Sequence, residues 1–328
     1  METNTNTNIT AGALSERAML VTLRISCWLP GKVDEVISRE TADKYKVARH
    51  RVSTRKFTVD PKTPSYAAVT AARGALRTRF YWYTLPWAHH GPHILPAVLF
   101  GKYADDMRRL TAAFSEAADT FATEFPALCV RSIADSNGLI TAADFPANIR
   151  DCFGVTTEVL PIPTAADFRV QMSEETAARV REQMQQGVDA QVRDALALAA
   201  RQPYQRLHQH VTRMVERLSD PDAKFHDTIV TGLRDLCALM PALNLTGDAD
   251  LAALAQSAEA MVANVDPEHL RTVPAIRQRV ASDAKALAEL LAPRATVNAL
   301  AATEADQHLA SAATIAAQFG SMFGGNKS

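Results

Sequence analysis

Glycine and proline are sparse in this chain, 13 and 16 of 328 residues, which excludes collagen-like and low-complexity architectures. Cysteine is scarcer: Cys27, Cys129, Cys152 and Cys237 are widely spread. No pair has the spacing of a zinc ribbon or a redox dithiol, and four cannot staple a chain of this length. Buried, reduced thiols in a cytosolic protein are expected. Long apolar runs are also missing, since residues 94–100 fall far short of the roughly 18 apolar residues of a membrane span. The opening METNTNTNITAGALSERAML has neither a basic nor an apolar region of the kind that makes a signal peptide. The expectation is a cytoplasmic protein with no membrane association.

Complete catalytic signatures are absent as well. There is no GxxxxGK[ST], no GxGxxG after a strand, no GxSxG and no HExxH. Gly324 and Gly325 precede Lys327 and Ser328, but no helix follows to lend its dipole, so they read as a tail. The acid pairs Asp105-Asp106 and Glu174-Glu175 fall at expected helix starts, where the helix dipole explains them. His208 and His210, two apart on an expected helix, face different directions. His89, His90 and His93 form the one metal candidate, with Asp105 and Asp106 following. Pro92 constrains their turn and no cysteine is near, so histidines that hydrogen-bond a rigid loop are preferred. No catalytic residue and no cofactor is expected, and the protein does not read as an enzyme.

What is present is globular composition: 47% hydrophobic and 22% charged residues, in a chain long enough for one large or two ordinary domains. The net charge of −1 conceals a split. Residues 1–102 carry 15 Lys/Arg against 7 Asp/Glu, and residues 103–328 carry 20 against 29. All three Trp and five of six Tyr lie in residues 28–103. The expected organisation is a disordered tail (1–17), a basic aromatic-rich region (18–103), a helical body (104–319) with an irregular insert near 126–172, and a flexible tail (320–328).

Periodicity predicts a mainly α protein, a multi-helix bundle with long antiparallel amphipathic helices and a small mixed, loop-rich N-terminal region. Residues 18–28 fit a strand or a short buried helix. The stretch around VARHRVSTRKFTV fits a hairpin or extended arm, with helix up to about Arg51 as the rival. A helix is expected over 64–81, then a structured, partly buried loop through YWYTLPWAHHGPHILP. Met107, Leu110, Phe114, Ala117 and Phe121 predict a helix over 104–125. Val180, Met184, Val188, Val192, Ala195 and Ala199 mark another over 174–201, opened by Ser173 and ended by Pro203. Leu207, Val211, Val215 and Leu218 mark the next. Asp220-Pro221 and Asp266-Pro267 read as helix starts, and 249–264, 274–291 and 296–319 as further helices.

Two features carry functional content. Lys44, Lys46, Arg49, Arg51, Arg55 and Lys56 place six cations in thirteen residues, interleaved with Tyr45, His50 and Phe57. Cations neutralise phosphates and aromatic rings stack on unpaired bases, so this composition suits single-stranded nucleic acid; a solvated face or an acidic protein partner are the competing readings. Arg73, Arg77 and Arg79 form a second basic run leading into Phe80 and Tyr81. The second feature is the aromatic segment with Tyr81, Trp82, Tyr83 and Trp87, read by default as core and alternatively as an interface loop.

The segments RFYWYTLPWAHHGPHILPAVLFGKYADDMR, LPIPTAADFRV and DPEHLRTVPAIRQRV resemble an uncharacterised family of phage and mobile-element proteins, over residues 18–292. Members are encoded near MoxR-type AAA+ ATPases and von Willebrand A-domain proteins. The resemblance implies a mobile-element setting and an AAA+ ATPase as partner, and brings no catalytic residues. The expected function is a non-enzymatic helical scaffold or adaptor that self-associates and docks such an ATPase. The alternative is a nucleic-acid-binding protein of phage replication or recombination using the arm at 44–56.

Overall fold

Apolar side chains three and four residues apart drive most of this chain into helix. The computed structural model describes residues 11–164, 174–220 and 223–295. In chain order the elements are α1 (Ala11–Ser15), β1 (Ala18–Ser26), β2 (Gly31–Val33), α2 (Glu35–Tyr45), β3 (Arg55–Phe57), α3 (Pro64–Tyr83), β4 (Leu85–Pro86), β5 (His93–Pro96), α4 (Phe100–Asp135), β6 (Gly154–Leu160), α5 (Glu174–Ser219), α6 (Thr228–Leu243), α7 (Ala249–Val262), α8 (Pro267–Thr272) and α9 (Pro274–Ala295). The protein is mainly helical with a small antiparallel sheet, and no described helix is long and apolar enough to cross a membrane. Two compact units interleave along the sequence. One takes Met1–Thr22, Phe80–Ala104 and Glu158–Ser328, and the other takes Leu23–Arg79 and Asp105–Thr157.

The strands β4, β5, β1 and β6 lie side by side in that order. Ala18 pairs with Pro96 and Val21 with His93, while Leu85 pairs with Ile94. Pro86 sits on the edge strand, the position in a sheet where proline is tolerated. Gly91, at φ +108°, makes the turn between β4 and β5 in a backbone region that other residues rarely adopt. The helical core joins Leu207, Val211 and Met214 of α5 to Leu233 and Leu236 of α6, Ala258 and Val262 of α7, and Ala284 and Leu291 of α9.

Arginines satisfy the carbonyls that helix C-termini leave open. Arg206 of α5 donates to Tyr81 O, Trp82 O and Thr84 O at 2.7, 3.0 and 2.5 Å, closing the end of α3. Arg234 of α6 donates to Val262 O and Val265 O at the end of α7. Arg277 of α9 reaches Arg217 O, Leu218 O and Asp220 O at the end of α5. A planar guanidinium with several donors suits a fan of carbonyls, and its charge complements the negative end of the dipole. At the other end of α9, Gln205 of α5 donates to Ala295 O.

The second unit is built on rings. Trp28 meets Tyr66 of α3 at 6.1 Å and Phe125 of α4 at 5.4 Å between centroids, both edge-on. Phe121 packs on Tyr66, Phe125 and Phe153. Phe114, Ala118, Phe121 and Phe125 recur at four-three-four spacing and turn one face of α4 into this cluster.

Several boundaries differ from the sequence expectation. Helix α5 continues through Pro203 to Ser219 instead of ending there. A mid-helix proline removes one hydrogen bond and crowds the preceding turn, at a cost of about 3 kcal/mol. Here the buried row Val192, Ala195, Ala199, then Leu207, Val211 and Met214 runs in phase on both sides of it, so packing of both flanks offsets the break. Pro126 is passed likewise, and α4 reaches Asp135 where an irregular insert was expected. Helix α3 extends through Tyr83 into the segment expected to be loop, and that segment then forms the β4–β5 hairpin. Asp220-Pro221 does not open α6, which begins at Thr228 with Phe225 ahead of it. Within the expected disordered tail, residues 11–15 form α1, with Leu14 buried. Asp266-Pro267 does open α8, with the Asp266 carboxylate accepting from Glu268 N at 2.9 Å. Ser173, the side chain of Val180, the expected helix 296–319 and the tail 320–328 lie outside the described residues.

Candidate nucleic-acid interface

The basic segment lies wholly in the second unit and begins at a capped helix. The Asp34 carboxylate accepts from Val36 N and Ile37 N at 3.1 and 3.0 Å, starting α2. At its other end Lys46 adopts the left-handed conformation, φ 51°. Its N–H bonds to Asp43 O and that of Val47 to Ala42 O, the reversal that usually uses glycine. The chain folds back through a 3-10 turn at Arg49–Arg51 into β3. Every residue from 43 to 51 is exposed, so Lys44, Lys46, Arg49 and Arg51 stand on a projection together with Tyr45 and His50. Arg55 is exposed as well. The arm is therefore a helix end, a turn and a short strand, rather than one hairpin or one continuous helix.

Lys56 leaves this set. On β3 it alternates to the opposite face from Arg55 and Phe57. Its Nζ lies 3.2 Å from the Asp34 carboxylate and 3.1 Å from that of Asp144, and donates to Leu139 O at 3.1 Å. Only 14% of its side chain is exposed. Asp144 and Asp34 hold the ammonium above its ordinary pKa. The Asp34 and Asp144 carboxyls are lowered chiefly by hydrogen bonds from Ile37 N and Thr141 N, and further by Lys56. Lys56 is thus a staple joining β3, the start of α2 and the turn at Ala142–Asp144.

The second basic run is also engaged. Arg73, Arg77 and Arg79 are half-buried on α3. Burial pushes the Cys27 thiol up, and a hydrogen bond and charge from Arg73, with charge from Arg77, partly oppose it. Arg79 pairs with Asp106 at 3.3 Å.

The aromatic segment lies elsewhere, in the first unit. Tyr83 and Trp87 are buried and Tyr81 and Trp82 half-buried. Phe80 to Tyr83 complete α3, so the expected interface loop is a helix end set among core residues. Trp82 packs on the helical core and meets His210 edge-on at 6.4 Å. His89 and His90 are exposed at the hairpin turn, whereas His93 is tucked against Phe80 and Tyr81, each at 5.2 Å. Thr84 gives its hydroxyl proton to Phe80 O, so at 3.3 Å it accepts from His93 Nδ1. Burial, with Arg206 nearby, depresses the His93 pKa to about 4. Among the described residues no three His, Cys, Asp or Glu side chains are placed to hold a metal.

Sequence reasoning missed two contributors. Arg206 carries no local pattern, since its acceptors lie more than 120 residues earlier. The partner of β3 is the three-residue strand Gly31–Val33, too short for alternation to reveal. Comparison with known proteins finds no matching family model, no matching curated protein and no matching solved structure.

Proposed function

We propose that this protein is a non-enzymatic nucleic-acid-binding protein, with its interface on the projection around α2 and β3. The observation that carries this reading is the joint exposure of Lys44, Lys46, Arg49, Arg51 and Arg55 with the rings of Tyr45 and Phe57. Cations at such positions release counterions from a phosphate backbone, which makes affinity fall steeply with salt. Substituting these five cations by Ala should abolish the shift of a labelled oligonucleotide. In the intact protein the slope of log affinity against log salt should reach about −3.5 on a single strand if all five engage phosphates. Arg108→Ala serves as control, because that exposed cation of α4 lies outside the arm and its loss should leave the salt slope unchanged. Unchanged binding by the five-fold variant would overturn the reading.

A scaffold or adaptor of a phage or mobile-element system, self-associating through long antiparallel amphipathic helices and docking an AAA+ ATPase, is the second reading. It is supported by the early part of α5, where residues 182–187 are all exposed and Met184 stands on the seam that is buried further along at Val192 and Ala195. Light scattering that finds a monomer indifferent to the ATPase would remove it.

A further inference from the structure

We infer that the outer face of the β2–β3 ribbon is a stacking seat for an unpaired nucleobase, with Phe57 as its platform. This interface then selects single-stranded over duplex nucleic acid. The inference rests on the nucleic-acid reading above and adds to it a strand preference and the residue that determines it.

Antiparallel pairing sets Gly31 opposite Phe57 and Val33 opposite Arg55, so these four residues share one face, and Lys32 and Lys56 share the other. The second face is closed by the bonds of Lys56 to Asp34, Asp144 and Leu139, which also fix the register. The first face stays open. Phe57 is 54% exposed and Val33 51%, while Leu29, two residues before Gly31, is 56% exposed. A strip of large apolar side chains sharing its face with the exposed cation Arg55 is not what a solvated surface requires.

Phe57 is held as well as exposed. A Cβ at Gly31 would stand 3.2 Å from Phe57 Cε1, so the ring rests on the bare backbone of the opposite strand. Supported from beneath and fixed by a paired strand, it offers its outer side with little conformational entropy left to lose. The Nε of Arg55 lies 3.9 Å from the same point, which sets a guanidinium next to the ring. A flat ring flanked by a cation is the arrangement that receives a base and the phosphate attached to it. Paired bases inside a duplex are stacked on their neighbours and cannot reach it. The cations on the projection supply the charge complement that favours a polyanion over an apolar protein partner.

The test measures binding of oligothymidylate, an oligouridylate and a DNA duplex to the full chain by anisotropy across a salt series. Phe57→Ala should weaken single-strand binding about tenfold or more while leaving the salt slope and duplex affinity unchanged. Phe57→Trp should preserve single-strand affinity and give a fluorescence that the strand quenches. If Phe57→Ala binds single strands normally while the five-cation variant does not, the stacking seat is wrong and the nucleic-acid reading stands. If the unaltered chain binds neither strand nor duplex, or binds only vesicles of anionic lipid, both fall.

Discussion

Burial forces His93 and His210 to remain uncharged. Each is depressed to about 4, first by desolvation; Arg206 adds to the effect at His93, and Arg213 and Arg206 at His210. Above the ordinary imidazole value of 6.5 both are neutral in the folded and unfolded chain and contribute no pH dependence. Between about 6.5 and about 4 the unfolded chain takes up protons that the folded chain refuses, so stability falls as pH falls. Below about 4 both states are protonated and the loss stops. Each histidine sets a slope of up to about 1.4 kcal/mol per pH unit across that window. The lowered carboxyls of Asp34 and Asp144 act in the same direction at lower pH, because their contribution is lost only once pH drops below the ordinary carboxylate range. Urea midpoints taken from pH 7 to about pH 4 should therefore decline, and the His93→Gln/His210→Gln double variant should flatten the decline over that window. An unaltered slope in the double variant would show that neither ring is kept neutral by the fold.

At the scale of the element, caps differ in what else they hold. Asp266 caps α8 through a single bond to Glu268 N. Asp248 caps α7 through Asp250 N and Leu251 N at 2.9 and 3.2 Å, and its second oxygen accepts from the Tyr204 hydroxyl of α5 at 2.7 Å. Asp266→Ala should cost about 1 kcal/mol, the ordinary value of a cap. Asp248→Ala should cost about 2–3 kcal/mol, because it also strips the Tyr204 hydroxyl of its acceptor. Equal urea midpoints for the two variants would contradict this difference. These elements also show what the sequence made legible. Asp266-Pro267 announces α8 because its cap bond is local. The apolar rows of α4, α7 and α9 announce helices because three- and four-residue spacing is local too. Pro203 misleads for the opposite reason: its penalty is local, whereas the packing that offsets it comes from other helices. The in-phase row on both sides of Pro203 was the available clue. At the candidate interface, the density of cations marks the region, but which of them are free depends on Asp34 and Asp144, and Asp144 is distant in sequence. No local pattern separates Lys56 from Arg55.

At the scale of the molecule, the break in charge and aromatic content near residue 103 invites a cut between a basic region and a helical body. The compact units follow another plan, since residues 80–104 group with the helices after 158. Arg206, 4% exposed, makes the dependence concrete: the carbonyls it serves belong to Tyr81, Trp82 and Thr84. A fragment starting at residue 104 keeps the guanidinium and discards these acceptors, together with Trp82 from the edge of the core. Removing partners from a buried charge costs about 3–5 kcal/mol, a large share of the 5–15 kcal/mol that holds a typical domain together. The fragment should be markedly less stable than the intact chain, with weakened near-ultraviolet circular dichroism. One substitution distinguishes this cause from general truncation damage. In the full chain Arg206→Met leaves three carbonyls without their donor and should lower the urea midpoint. In the fragment those three carbonyls are already absent, so the same change should lower the midpoint by less. Equal destabilisation of both would mean that residues 81–84 are dispensable to the role of Arg206.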